Sequence, residues 1–114
     1  MPYTFEGSPL GVGSEPVIKN GVTWVPVRAL GTALGGNVDW DPDSRVAILY
    51  LGDIVASFKE DDATADINGE QWEMPGATYL EDGEAWIPAR LFERLGYGLQ
   101  VDTQSKTVNF ANPV

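Results

Sequence analysis

The stretch Asn20-Gly21-Val22-Thr23-Trp24-Val25-Pro26-Val27-Arg28-Ala29-Leu30 reads as a tight turn, a short strand and a helix opened by proline. Asn-Gly supplies the positive φ that a two-residue hairpin turn needs. Pro26 ends the strand and sits at the helix start, where its missing N–H costs nothing. Val27, Leu30, Ala33 and Leu34 then share one face at helical spacing, and Gly35-Gly36 stops the helix. The predicted helix is roughly two to three turns long. The same pattern returns at Asp82-Gly83-Glu84-Ala85-Trp86-Ile87-Pro88-Ala89-Arg90-Leu91-Phe92, with Pro88 standing 62 positions beyond Pro26 (88 − 26). The Gly, Trp and Arg pairs keep the same spacing. An internal repeat dictates architecture before any local feature does.

Upstream of this stretch, Tyr3 and Phe5 alternate ahead of a Glu6-Gly7-Ser8 turn. Pro9 to Pro16 is rich in Gly and Pro and reads as loop or edge strand. Val17-Ile18 opens the hairpin. Downstream, Asn37 to Asp41 alternates and Asp41-Pro42-Asp43-Ser44 is a turn by composition. Val46 to Leu51 is apolar on both faces, which predicts a central strand covered on both sides. Ile54 to Phe58 alternates again, and Lys59-Glu60-Asp61-Asp62 is a solvated charge run.

From Ala65 the offset of 62 holds up to the second helix. There it slips by one, so that Leu34, Val38, Trp40 and Asp41 align with Leu95, Leu99, Val101 and Asp102. It returns to 62 in the last strand, pairing Val46 with Val108 and Ile48 with Phe110, and Asn112-Pro113-Val114 is a tail. Helices this short are unstable alone in water, so neither half buries its apolar face by itself. The sequence therefore predicts one α+β domain over 1–114. It consists of two pseudo-repeated β-β-α-β-β units, about 3–50 and 65–110, sharing one core, with mainly antiparallel sheet and two short helices.

A chain of 114 residues can fold without a metal or disulfide. Its 17 acidic residues against 7 basic ones give −10, which repels nucleic acid and anionic lipid. Such a balance fits a soluble surface module, a cation binder or a partner for something basic. Cysteine and histidine are both absent, which excludes thiol chemistry, zinc fingers and a Ser-His-Asp triad. No apolar run approaches the ~20 residues of a membrane span. Met1-Pro2-Tyr3 carries no signal-peptide pattern, so an exported form is a mature or trimmed one.

Arg28 and Arg90 lie near the positive ends of their helices, where the dipole disfavours a cation by about 0.3–1 kcal/mol. A carboxylate should compensate, and Asp41 and Asp102 are the candidates by repeat position. Each arginine then serves as a brace from helix to sheet; an anion site is the alternative. Trp24, Trp40, Trp72 and Trp86 occupy strand positions, where aromatics are usually core. A stacking platform for sugar rings is the other reading. Trp72 aligns with Leu10 and is the one expected to be exposed. The acidic clusters Asp39-Trp40-Asp41-Pro42-Asp43 and Glu60-Asp61-Asp62 lack the glycine and terminal glutamate of a calcium loop, so no metal and no cofactor is expected. No pair of carboxylates stands out as a catalytic couple, and no enzyme activity is expected.

The ordered set Lys19-Asn20-Gly21, Val25-Pro26-Val27-Arg28-Ala29-Leu30, Ala33-Leu34, Val38, Trp40-Asp41 and Val46 to Ile48 resembles the copper amine oxidase N-terminal-like domain. Ile54 to Phe58, Ile67-Asn68-Gly69 and the second Pro-x-Arg fit it too. This is the stalk domain of cell-surface and wall-associated proteins of Gram-positive bacteria. The resemblance implies a non-catalytic accessory module, extracellular or wall-associated, with a neighbouring domain of a larger exported protein as partner. Cell-wall glycan is a candidate ligand. The copper and quinone chemistry of those oxidases belongs to another domain, and a chain without histidine lacks the means to bind copper that way.

Overall fold

The computed structural model describes residues 3–81 and 83–111. Strands β1 (Tyr3–Phe5), β2 (Ser8–Pro9), β3 (Val17–Lys19) and β4 (Val22–Pro26) lead into α1 (Val27–Ala33). Then come β5 (Asn37–Asp41), β6 (Val46–Leu51) and β7 (Ile54–Lys59). β8 (Thr64–Ile67), β9 (Glu70–Glu73), β10 (Tyr79–Glu81) and β11 (Glu84–Pro88) lead into α2 (Leu91–Arg94), followed by β12 (Gly98–Asp102) and β13 (Thr107–Ala111). The described residues are α+β, mainly antiparallel sheet with two short helices. Within each predicted unit four strands precede the helix (β1 to β4 and β8 to β11) where the sequence predicts two. The cause is local: Glu6-Gly7 and Asn68-Gly69 take positive φ at both positions and close extra two-residue hairpins. Asp82 of the second turn and the 112–114 tail lie outside the described residues.

The strands form three sheets, ordered β12-β13-β1-β2, β10-β11-β4-β3 and β5-β6-β7-β8-β9. The first ties the start of the chain to its end. There β1 runs parallel to β13, with Tyr3 opposite Val108 and Phe5 opposite Phe110. The second sheet joins the two hairpins through an antiparallel β4–β11 pair, with Val25 opposite Ile87. That register explains how two central strands tolerate proline. Pro26 faces Trp86 and Pro88 faces Trp24. Proline has no N–H, so these must be the non-hydrogen-bonded positions, and the ladder bonds fall at Val25–Ile87. The bond from Ala89 N–H to the Thr23 carbonyl (2.8 Å) continues that alternation one step on.

The main core contains Tyr3, Val25, Leu30, Leu49, Phe58, Ile87, Phe92 and Phe110, all with no exposed surface. α1 packs on β4, β5 and β6 and also on β11 from the other half of the chain. Its last turn closes as a Schellman motif: Gly36 N–H bonds the Gly31 carbonyl (2.9 Å) and Gly35, at φ 95°, bonds Thr32 (3.0 Å). α2 ends likewise through Gly96 and Tyr97, with Phe92 and Tyr97 edge to face. α2 is a single turn, shorter than predicted. Ala89 is still bonded to β4, which delays the helix, and Gly96 arrives one residue early relative to the first half.

β6 is central but covered on one side only. Ala47, Leu49 and Leu51 are buried, whereas Tyr50 is 40% exposed beside its cross-strand partner Val55 at 45%. The outward apolar residues cover one another across the strands, so apolar character on both faces does not require a second layer.

Gly36 is the tightest backbone point. A Cβ there would run into the Tyr50 carbonyl oxygen, a backbone atom that cannot swing aside. Gly36→Ala should lower the unfolding free energy by about 1–3 kcal/mol. Gly11→Ala, where a Cβ meets nothing within 4 Å, should stay within about 0.5 kcal/mol of the parent. Urea melts of the two variants decide this, and equal midpoints would refute the packing of β6 against the end of α1.

Candidate functional site

Arg28 leaves α1 beside a cleft of about 190 Å³. Val27, Val38, Trp40 and Ala47 line it from the first half of the chain, and Leu80, Gly83 and Ala85 from the β10–β11 hairpin. Arg90 lines a second cleft, of about 290 Å³, with Ala89, Val101, Gly21 and Thr23 among its walls. The two sites correspond by position. Ala89 and Arg90 stand 62 beyond Val27 and Arg28, Gly21 and Thr23 stand 62 before Gly83 and Ala85, and Val101 aligns with Trp40. Each cleft thus sits between a helix of one half and a hairpin turn of the other.

The arginines differ in their partners. Arg90 pairs with Glu93, one helical turn on, at 3.1 Å. Both side chains are about half exposed, so this pair contributes little to stability. Among the described residues Arg28 makes no ion pair. The expected braces Arg28–Asp41 and Arg90–Asp102 are not formed. Asp41 and Asp102 serve their own turns instead: Asp41 Oδ1 accepts from Asp43 N–H (3.0 Å), and Asp102 Oδ1 from Gln104 (3.0 Å) and Ser105 N–H (3.3 Å). A short acceptor two residues before a free N–H closes an Asx turn at less entropic cost than a reach to the helix.

Those turns hold both carboxyls below the ordinary aspartate range. For Asp41 the Ser44 hydroxyl acts first and the Asp43 N–H second. For Asp102 it is the Ser105 N–H, then the Ser105 hydroxyl, then the Gln104 N–H. The remaining shifted groups also have structural causes. Arg45 ion-pairs with Glu60 and lowers its carboxyl. Burial raises the phenol of Tyr3, with Glu84 and Glu15 adding to it. Burial also raises Tyr79, against the opposing charge of Lys19. None of these groups lines the Arg28 or Arg90 cleft.

The four tryptophans do not form a shared open platform. Trp24 and Trp86 are only 6% and 7% exposed, outside the main core cluster. Their ring faces are used on each other's neighbour. Tyr79 lies edge-on to Trp24 (5.2 Å) and parallel to Trp86 (6.2 Å), with Lys19 Nζ 4.1 Å above the Tyr79 ring. Gly76 comes so close to Trp24 that a Cβ would sit 2.7 Å from Cζ2. Trp72, expected to be the exposed one, is half-buried against the core, and so is Trp40, which carries the Arg45 guanidinium at 5.9 Å. Among the described residues no group of acidic side chains is arranged to hold a metal ion, and no helix is long and apolar enough to cross a membrane.

Two features escaped the sequence. Nothing in the motifs said that a hairpin from one half walls the cleft of the other; only the β4–β11 register does. Tyr79 is the ring that ties the buried tryptophans together. Its aromatic character opposite Trp86 in a two-strand register was the available signal.

A profile of the family described as Copper amine oxidase N-terminal domain matches residues 4–110. Among curated proteins nothing matches.

The turn aspartates give a pH prediction. A carboxyl held below its ordinary value stabilises the fold above the ordinary range near pH 4, and that contribution is lost as pH falls through the folded value. Asp41→Asn with Asp102→Asn should therefore be less stable than the parent at neutral pH, and the gap should close in acid. Urea midpoints from pH 7 down to pH 2.5 check this; a gap that stays constant across the range would contradict it.

Proposed function

Because the chain belongs to the copper amine oxidase N-terminal domain family, we propose that it is a non-catalytic accessory module of an exported bacterial protein, positioning a neighbouring domain or attaching it at the cell wall. The family match over 4–110 carries this reading, since an N-terminal domain of that description is one part of a longer protein. The chemistry of the chain agrees. It has neither histidine nor cysteine, and its shifted carboxyls are accounted for by turns and one ion pair. A catalytic acid or base would instead be a perturbed group within a cleft.

The module is one domain of two repeats, about 3–50 and 65–110. Equal lengths support this: β3 matches β10 and β4 matches β11 at a displacement of 62, and β5 matches β12 at 61. The antiparallel pairing of Val25 with Ile87, residues that correspond to each other, supports it too. Its place is extracellular, on the wall of a Gram-positive cell. The charge of −10 keeps it off the anionic membrane and favours uncharged or basic wall components.

Fused to a fluorescent protein, the module should sediment with purified wall sacculi in physiological salt, while the fluorescent protein alone stays in solution. The fusion should release no reducing sugar from those sacculi on long incubation. Release of sugar would overturn the non-catalytic reading. Failure to sediment would remove attachment and leave positioning, to be measured by deleting 4–110 from the full protein: unchanged activity of the neighbour on its surface-bound target would then overturn the proposal altogether.

A further inference from the structure

We infer that the cleft between α1 and the β10–β11 hairpin is a binding site for a small carboxylate carried on an apolar group, with Arg28 as its anion-binding side chain. This goes beyond the accessory role and does not depend on it. Arg28 is exposed and, among the described residues, without an ion-pair partner. The corresponding cleft shows what a closed version looks like. Arg90 is neutralised there by Glu93, three residues on. Three residues beyond Arg28 stands Gly31, where a larger residue would have to push core side chains aside. A Cβ at Gly31 would lie 2.6 Å from Leu49 Cδ1 and 3.2 Å from Val38 Cγ2. The packing of α1 onto β5 and β6 therefore disfavours at position 31 the carboxylate that pairs with the arginine of the second site.

The walls differ in the same direction. Where the second cleft has Val101 and Thr23, the first has Trp40 and Ala85. Its floor of Val27, Val38 and Ala47 is apolar and partly shut off from solvent. A guanidinium at such a rim binds a carboxylate in a bidentate fork, and the low-dielectric wall strengthens the contact. The floor and the indole take an apolar body. At about 190 Å³ the cleft is below the roughly 300–1,000 Å³ of sites for drug-sized ligands, which limits the occupant to a branched aliphatic or aromatic group of amino-acid size. A net charge of −10 selects against multiply charged anions and tolerates a single carboxylate held by a local cation. That chemistry is offered both by a free monocarboxylate and by the C-terminal residue of a peptide.

The test is an amide and indole N–H NMR titration of the full chain. Phenylacetate and N-acetyl-leucine are the probes, with N-acetyl-leucinamide as the uncharged control. The expected result is saturable shifts at the Trp40 indole, Ala47 and Ala85 with the two acids and none with the amide. Arg28→Gln should weaken binding at least about tenfold and Arg28→Lys should recover only part of it. Arg90→Gln should bind like the parent. Trp40→Val, which copies the second cleft, should weaken binding without moving the amide spectrum elsewhere. A tripeptide ending in leucine that binds more tightly than N-acetyl-leucine assigns the ligand to peptide termini, and equal binding assigns it to free acids. Shifts that persist with the amide, shifts centred on Arg90, or no shifts up to the solubility limit of the probes would each overturn the site.

Discussion

The antiparallel contact of β4 with β11 is the constraint on which the rest depends. It is a short seam, with Val25 opposite Ile87 flanked by two proline–tryptophan pairs. Both centre residues are completely buried, so the seam is at once a ladder and a part of the core. Each fully buried aliphatic side chain contributes about 1.5–3 kcal/mol. The prolines restrict the hydrogen bonds to one phase of the register. A slip by a single residue would place a proline where an N–H is required and turn Trp24 and Trp86 toward the core. Negative and positive selection of the register thus rest on the same residues.

From that seam the clefts follow. Pairing β4 with β11 brings each hairpin turn beside the helix of the opposite half, so that Gly83 and Ala85 face Arg28 while Gly21 and Thr23 face Arg90. The halves then diverge at few positions. With Gly31 against Glu93 and Trp40 against Val101, one cleft has an indole wall and an arginine without an ion-pair partner among the described residues, and in the other Arg90 pairs with Glu93. A domain built this way keeps its architecture in the seam and the sheets and leaves its cleft free to change.

Much of the fold was legible in the sequence, and the reasons are local. Asn20-Gly21 closes its hairpin with positive φ at both residues, and Gly35 ends the first helix where glycine was expected to. What failed were expectations that needed partners from elsewhere in the chain. Val46 to Leu51 looked covered on both faces, yet Tyr50 is open, because alternation reports which residues are apolar and not how many layers cover them. Asp41 and Asp102 looked like braces for the arginines, yet the N–H groups of their own turns are nearer. Trp72 looked exposed because its counterpart is Leu10, yet both pack on the core. The clefts were invisible because they are assembled across the seam, by residues about 55 positions apart in the chain such as Arg28 and Gly83.

Native-state hydrogen exchange at Val25 and Ile87 tests whether the seam binds the halves into one cooperative unit. Both amides should exchange only through global unfolding, with opening free energies equal to each other and to the stability measured in urea, and both should fall together when either residue is replaced by alanine. If one of them exchanged through a smaller opening that left the other protected, the halves would be separate folding units, and the composite clefts would lose their structural basis.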